Sequence, residues 1–129
     1  MREILFRAKR LKDGQWVEGL LWKKKYKSNK LFISYFPDED DHEEVYVVDP
    51  ETVCQYTGLT DKNGVKIFEW DIVDEFDMCK RHRGKGVVHM DDTFIGWYIS
   101  EGKCLFRPFT YEVIGNIFDN PELVKGGAE

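Results

Sequence analysis

The sequence predicts a mainly β protein: a small antiparallel barrel-like or sandwich architecture with a short C-terminal helix. Two observations lead there. Apolar, aromatic and β-branched residues recur in short runs, several alternating with a period of two, and Gly, Asp, Asn and Pro punctuate them at near-regular spacing. An apolar stripe of helical period is sustained nowhere except weakly at the C-terminal end. Short turns between closely spaced strands favour antiparallel pairing over parallel crossovers.

Taken in order, Ile4, Phe6 and Ala8 alternate with Leu5, Arg7 and Lys9. Asp13-Gly14 then suits a two-residue hairpin turn, so strand, turn and strand are expected through Trp22. Leu31–Phe36 and Val45–Val48 read as a second hairpin across the acidic connection Pro37–Glu44. Asp49-Pro50-Glu51-Thr52 suits one helical turn, with an aspartate cap and proline in the first position. Val53–Thr57 is a brief strand, Asn63-Gly64 a tight turn, and Val65–Val73 a further strand. Gly86–Met90, Thr93–Ile99, Cys104–Phe106 and Tyr111–Phe118 are four more. Asn120-Pro121-Glu122 begins a short helix that soon meets Gly126-Gly127. The reading is one domain over residues 1–125, with a candidate subdivision into two β subdomains near 50–60.

A chain of 129 residues with 42% hydrophobic content can bury one core or two small ones without covalent staples. Cys54, Cys79 and Cys104 are odd in number and lack a Cys-x-x-Cys, which fits reduced thiols. The N-terminal residues mix charged and apolar types, unlike a signal peptide, and no stretch approaches the roughly twenty apolar residues of a membrane span. A soluble cytoplasmic protein without membrane contact is expected. Its net charge of −5 is unevenly spread. Residues 1–36 carry ten Lys/Arg against three Asp/Glu, residues 37–77 two against fourteen, and the remainder seven against seven. Segments of +7 and −12 can attract each other between neighbouring molecules, so a homo-oligomer is expected.

Four ordered motifs carry a resemblance: Arg2–Ala8; the long run from Gln55-Tyr-Thr-Gly-Leu59 through Asp61-Lys-Asn-Gly64 to Ile67-Phe-Glu-Trp-Asp-Ile-Val73; Tyr111–Phe118; and Asn120-Pro-Glu-Leu123. In these the chain resembles the YopX-like proteins of bacteriophages and prophages. The resemblance implies phage or prophage origin and no established reaction. The family pattern usually has glycine where this chain has Trp70, so a tight turn there is reached with an ordinary backbone or the loop differs. Within the motif, Gly58 and Asn63-Gly64 suit positive φ, and Tyr56, Leu59, Ile67, Phe68, Ile72 and Val73 suit a core. Gln55, Asp61 and Lys62 read as exposed and tolerant of alanine. The motif therefore reads as a structural corner.

Chemistry is sparse. Cys79, His82, His89 and Cys104 lack the paired spacing of a structural zinc site; His82 reads as part of a polar loop, His89 as part of a strand, and the cysteines as small apolar residues. The acidic run Asp38–Glu44 lacks the rhythm of a calcium loop and reads as solvated. No metal or cofactor is expected. No nucleophile elbow, phosphate loop or dinucleotide fingerprint appears, so catalytic residues are not assigned. Candidate binding residues are Lys23, Lys24, Lys25 and Tyr26 beside Trp16 and Trp22, which would neutralise phosphates and stack on bases, and Trp70 with Trp97 as a recognition patch. A lysine-rich edge strand and buried aromatics are the simpler readings, and the acidic balance disfavours nucleic acid. The leading expectation is a non-enzymatic binding or assembly module with a phage or host protein partner, and the alternative is a nucleic-acid-binding protein. An enzyme with a site not visible in the sequence is a distant third.

Overall fold

Period-two alternation becomes strands in a computed structural model of the chain, which describes residues 4–23, 30–37, 42–90, 97–99, 103–104 and 109–127. The chain divides into two compact units, Met1–Tyr56 and Thr57–Glu129. In the first, β1 (Phe6–Lys9), β2 (Trp16–Lys23), β3 (Leu31–Tyr35) and β4 (Glu44–Val48) pair antiparallel in sequence order. Register places Ala8 opposite Val17, Leu21 opposite Ile33, and Ile33 opposite Tyr46, so one face collects the apolar set. Ala8, Ile33 and Val48 are fully buried there, packed by Phe6, Val17, Leu21, Leu31, Tyr46 and Val53. Only glycine fits at position 19, because a Cβ there would lie 2.1 Å from the Ser34 carbonyl oxygen.

The free edge of β4 returns to the end of β1. Arg10 bridges Val48, Leu11 N donates to Val47 O at 3.0 Å, and Asp49 N to Lys9 O at 2.8 Å. The sheet thus curls around its core, though among the described residues no continuous barrel closes. A 3-10 turn, Pro50–Thr52, follows as expected, with the Asp49 carboxylate accepting from Glu51 N at 3.0 Å. The first hairpin departs from expectation: its loop has four residues, Leu11–Gly14, closed by Arg10 N to Gln15 O at 2.8 Å. Gly14 takes φ +75°. Asp13 instead uses its carboxylate, accepting from Gln15 N at 3.0 Å and pairing with the Arg10 guanidinium, which holds the acid below its usual range.

β5 (Cys54–Thr60) starts in the first unit, where Gln55 and Cys54 pair with Phe6 and Arg7, and continues into the second, where it adjoins β6 (Lys66–Phe68). The second unit contains the antiparallel sheet of β7 (Asp71–Phe76), β8 (His82–Val87) and β12 (Thr110–Asn116), with β7 central. A smaller sheet holds β9 (His89–Met90), β10 (Trp97–Ile99) and β11 (Lys103–Cys104). Ile67, Val73, Val88 and Tyr111 form the core, with Phe109 and Val113 against it. The chain is mainly β, and its one α-helix among the described residues, α1 (Pro121–Gly127), follows Asn120 as predicted. The Asn120 side chain turns back to accept from Asn116 N at 3.2 Å.

Two turns in this unit share one geometry. Asp61 N donates to Val65 O at 2.7 Å and Gly64 N to Asp61 O at 3.0 Å; Asp77 N donates to Arg81 O at 2.9 Å and Lys80 N to Asp77 O at 2.9 Å. Each aspartate Oδ1 accepts from the amides two and four residues on, Asn63 and Val65 in one turn and Cys79 and Arg81 in the other. Each three-residue loop ends on a left-handed residue, Gly64 at φ +82° and Lys80 at φ +64°. Gly58 also takes positive φ, as expected. Five sequence expectations fail here. Asp61 is not a tolerant surface residue: it is 7% exposed, and its Oδ2 accepts from Val113 N at 3.0 Å. Leu59, assigned to the core, is exposed, and Gln55 is half-buried. His82 opens β8 instead of lying in a loop, and Cys79 is exposed while Cys54 is buried.

The expected strand Val65–Val73 is broken at Glu69-Trp70 into β6 and β7. Trp70 itself takes φ +70°, so the tight turn exists and tryptophan occupies it. Its backbone is fixed on both sides, N donating to Val88 O at 2.8 Å and O accepting from Ile117 N at 3.1 Å. Beside it the buried Asp71 carboxylate accepts from Phe68 N at 2.8 Å. These bonds hold a conformation that costs an L-residue about 1–2 kcal/mol.

Two stability predictions follow from these turns. Asp61→Ala removes the acceptor from three amides, and urea denaturation should show a loss of about 2–3 kcal/mol; a loss under half a kcal/mol would restore the tolerant-surface reading. At position 70 both Trp70→Gly and Trp70→Ala delete the ring, so their difference isolates the backbone. The glycine variant should be more stable by about 1 kcal/mol, the reverse of the usual strand order.

Candidate functional site

Curling the first unit's sheet puts its core face inside and should leave a polar outer face. The outer face of β2–β4 is instead apolar. Leu20, Trp22, Phe32, Val45 and Val47 alternate out of register with the core set, and Leu20, Trp22 and Val45 are 51%, 38% and 46% exposed. Trp22 stacks on Phe32 with ring centroids 4.5 Å apart, and its indole N–H donates to Ser34 Oγ at 2.8 Å. The indole is therefore held in place as part of a rigid surface. Phe36 is exposed just beyond the end of β3.

The ends of this patch differ in charge. Lys30 lies at one end, two residues before Phe32, and Glu18 and Glu43 lie at the other, beyond the Leu20–Ser34–Val45 row; Lys23, in register with Leu31, alternates onto the opposite face. Among the described residues β1 is paired by β5, and the Val47–Asp49 end of the β4 edge is engaged by Lys9, Arg10 and Leu11.

Of the residues singled out from sequence, Lys23 ends β2 and is exposed next to Trp22. Lys24, Lys25 and Tyr26 lie outside the described residues. Trp16 has Arg7 over its ring at 4.7 Å and Lys9 at 5.4 Å, so cations of the same chain already occupy its π-face. Trp70 is half-buried at the β6–β7 corner, and its backbone role is established above. Trp97 opens β10, its side chain lying outside what is described. Val45 and Leu20 had no place among the sequence candidates, because an exposed apolar position on a strand looks the same as a buried one.

The candidate metal residues are dispersed. His82 Nε2 is 3.0 Å from Asp74 Oδ1, and Cys79 is exposed on the β7–β8 loop. No group of three or more His, Cys, Asp or Glu side chains converges among the described residues. Asp38, Asp40 and Asp41 lie outside them. The buried acid Glu75 accepts from Tyr111 Oη at 3.2 Å and from Arg83 Nε at 3.3 Å, an arrangement that joins β7, β8 and β12. No helix among the described residues is long and apolar enough to cross a membrane.

Comparison with known proteins adds the following. The family described as YopX protein matches residues 5–125. Among solved structures, the crystal structure of protein EF1440 from Enterococcus faecalis is similar, with a TM-score of 0.55 and 28% identity, covering 96% of this chain and 99% of that one. No curated protein matches. With nearly its whole length matched, the chain belongs to the YopX family.

Proposed function

We propose that this protein is a non-enzymatic accessory module of phage or prophage origin, working in the cytoplasm of a bacterial host, that assembles with copies of itself through the outer face of β2–β4. The observation that carries this reading is the apolar outer face of a sheet whose core is already filled from the other side. Its two ends supply the choice of occupant. A second copy turned end for end brings Lys30 of one molecule toward Glu18 and Glu43 of the other, and a self-complementary patch is what a two-fold dimer requires. The +7 and −12 segments of the chain add long-range attraction in the same sense.

The competing reading, nucleic-acid binding by the basic N-terminal hairpin, has Lys23 beside Trp22 in its favour. Against it stand the net charge of −5 and the intramolecular cations on Trp16. Salt-dependent retention on single- or double-stranded nucleic acid separates the two.

Light scattering at low salt and high concentration should report a dimer or larger assembly, weakening as salt screens charges over about 8 Å at physiological ionic strength. Leu20→Glu should lower the association constant at least tenfold while leaving the melting temperature of the monomer within a few degrees. A wild-type monomer under those conditions sinks the reading.

A further inference from the structure

We propose that the turn end of the β12–β7–β8 sheet is a binding site for a small aromatic phosphate, of which a nucleoside monophosphate is the natural example. The two aspartate-held turns lie side by side there and frame a cleft of about 510 Å³, within the usual range for small-molecule sites. It lies wholly in the second unit and plays no part in the assembly face. Lys62 and Asn63 come from one turn, Met78 and Lys80 from the other, and Phe76 from the end of β7.

The charge offered to a ligand follows from what the lining groups already do. Asp77 also lines the cleft, but its carboxylate is turned into its own loop: Oδ1 accepts from Cys79 N and Arg81 N, each at 2.9 Å, and Oδ2 from Arg81 Nε at 3.2 Å. The backbone amide of Arg81 leads in holding this acid ionised below its usual range, and its oxygens are taken. The cations are less committed. Lys80 is exposed and makes no ion pair among the described residues. Lys62 Nζ sits 4.2 Å over the Phe76 ring and 3.9 Å from Glu112 Oε1, a half-exposed pair of the kind that contributes little. Two lysines lining one space suit a doubly charged phosphate, which lysine recognises as a point charge. The exposed Met78 gives the apolar surface against which a planar ring packs, and Phe76, which carries Lys62 on one ring face, lines the cleft beside it.

The left-handed backbone at Lys80 makes the test clean. Lys80→Gly removes the ammonium at a position where glycine is favoured, so the variant should melt no lower than wild type. Titration calorimetry at low salt with adenosine monophosphate, inorganic phosphate and adenosine as separate probes should give one site for the nucleotide, with each fragment at least tenfold weaker. Lys80→Gly and Lys62→Gln should each weaken the nucleotide about tenfold. Absence of nucleotide binding at millimolar concentration, a fragment binding as tightly as the nucleotide, or unchanged affinity in Lys80→Gly would each overturn the proposal.

Discussion

The second unit depends on a carboxylate that has left water. Asp61 is buried, and an isolated buried carboxylate is too costly to persist. It is tolerated because three backbone amides converge on it, Asn63 and Val65 from its own turn and Val113 from β12. The bond to Val113, with Lys62 N to Tyr111 O at 2.8 Å, fastens the turn after β5 to a strand some fifty residues later. That attachment holds Tyr111 and Val113 where they meet Ile67 and Val73 in the core. It also sets one wall of the cleft, since Lys62 and Asn63 leave the same turn. Packing and surface chemistry here share one electrostatic origin.

The same solution recurs with almost no shared sequence. Asp61-Lys-Asn-Gly-Val and Asp77-Met-Cys-Lys-Arg have only their leading aspartate in common, yet both cage the amides two and four residues on. An aspartate before a loop is a legible signal, whereas the left-handed residue closing the loop is legible only when it is glycine. Gly64 could therefore be read and Lys80 could not. Trp70 is the stronger case: nothing about tryptophan announces positive φ, and its conformation is imposed by Val88 and Ile117, residues distant in the chain. The glycine expected there by resemblance marked a position of positive φ; of the two expectations for Trp70, an ordinary backbone or a different loop, φ +70° overturns the first.

Most strands were legible because period-two alternation is a local property, and so was the helical turn at Pro50; β8 was not, since the strand expected over Gly86–Met90 starts at His82 and breaks at Val88. What alternation cannot reveal is which face is covered. In β2, Val17 and Leu21 point inward while Leu20 and Trp22 point outward, so both faces read as apolar and the sequence alone gives no reason to choose. Asp61 failed for the converse reason: a polar residue type predicts exposure unless its partners are known, and one of them lies at Val113.

How the first unit manages its edges bears on how it meets a partner. An open β4 edge would invite strand addition, which needs no particular side chains and is therefore unselective. Arg10 and Leu11 occupy that edge, and the Arg10 guanidinium is fixed in turn by Asp13 and by the Tyr46 ring 5.0 Å away. With β1 paired to β5 as well, one edge and the Val47–Asp49 end of the other are occupied among the described residues. In the proposed assembly, contact is left to side chains on the outer face, where shape, the fixed Trp22 ring and the placement of Lys30, Glu18 and Glu43 set the orientation. On that proposal, a sheet that curls and still keeps leucine, tryptophan and valine outside exchanges an unselective contact for a selective one.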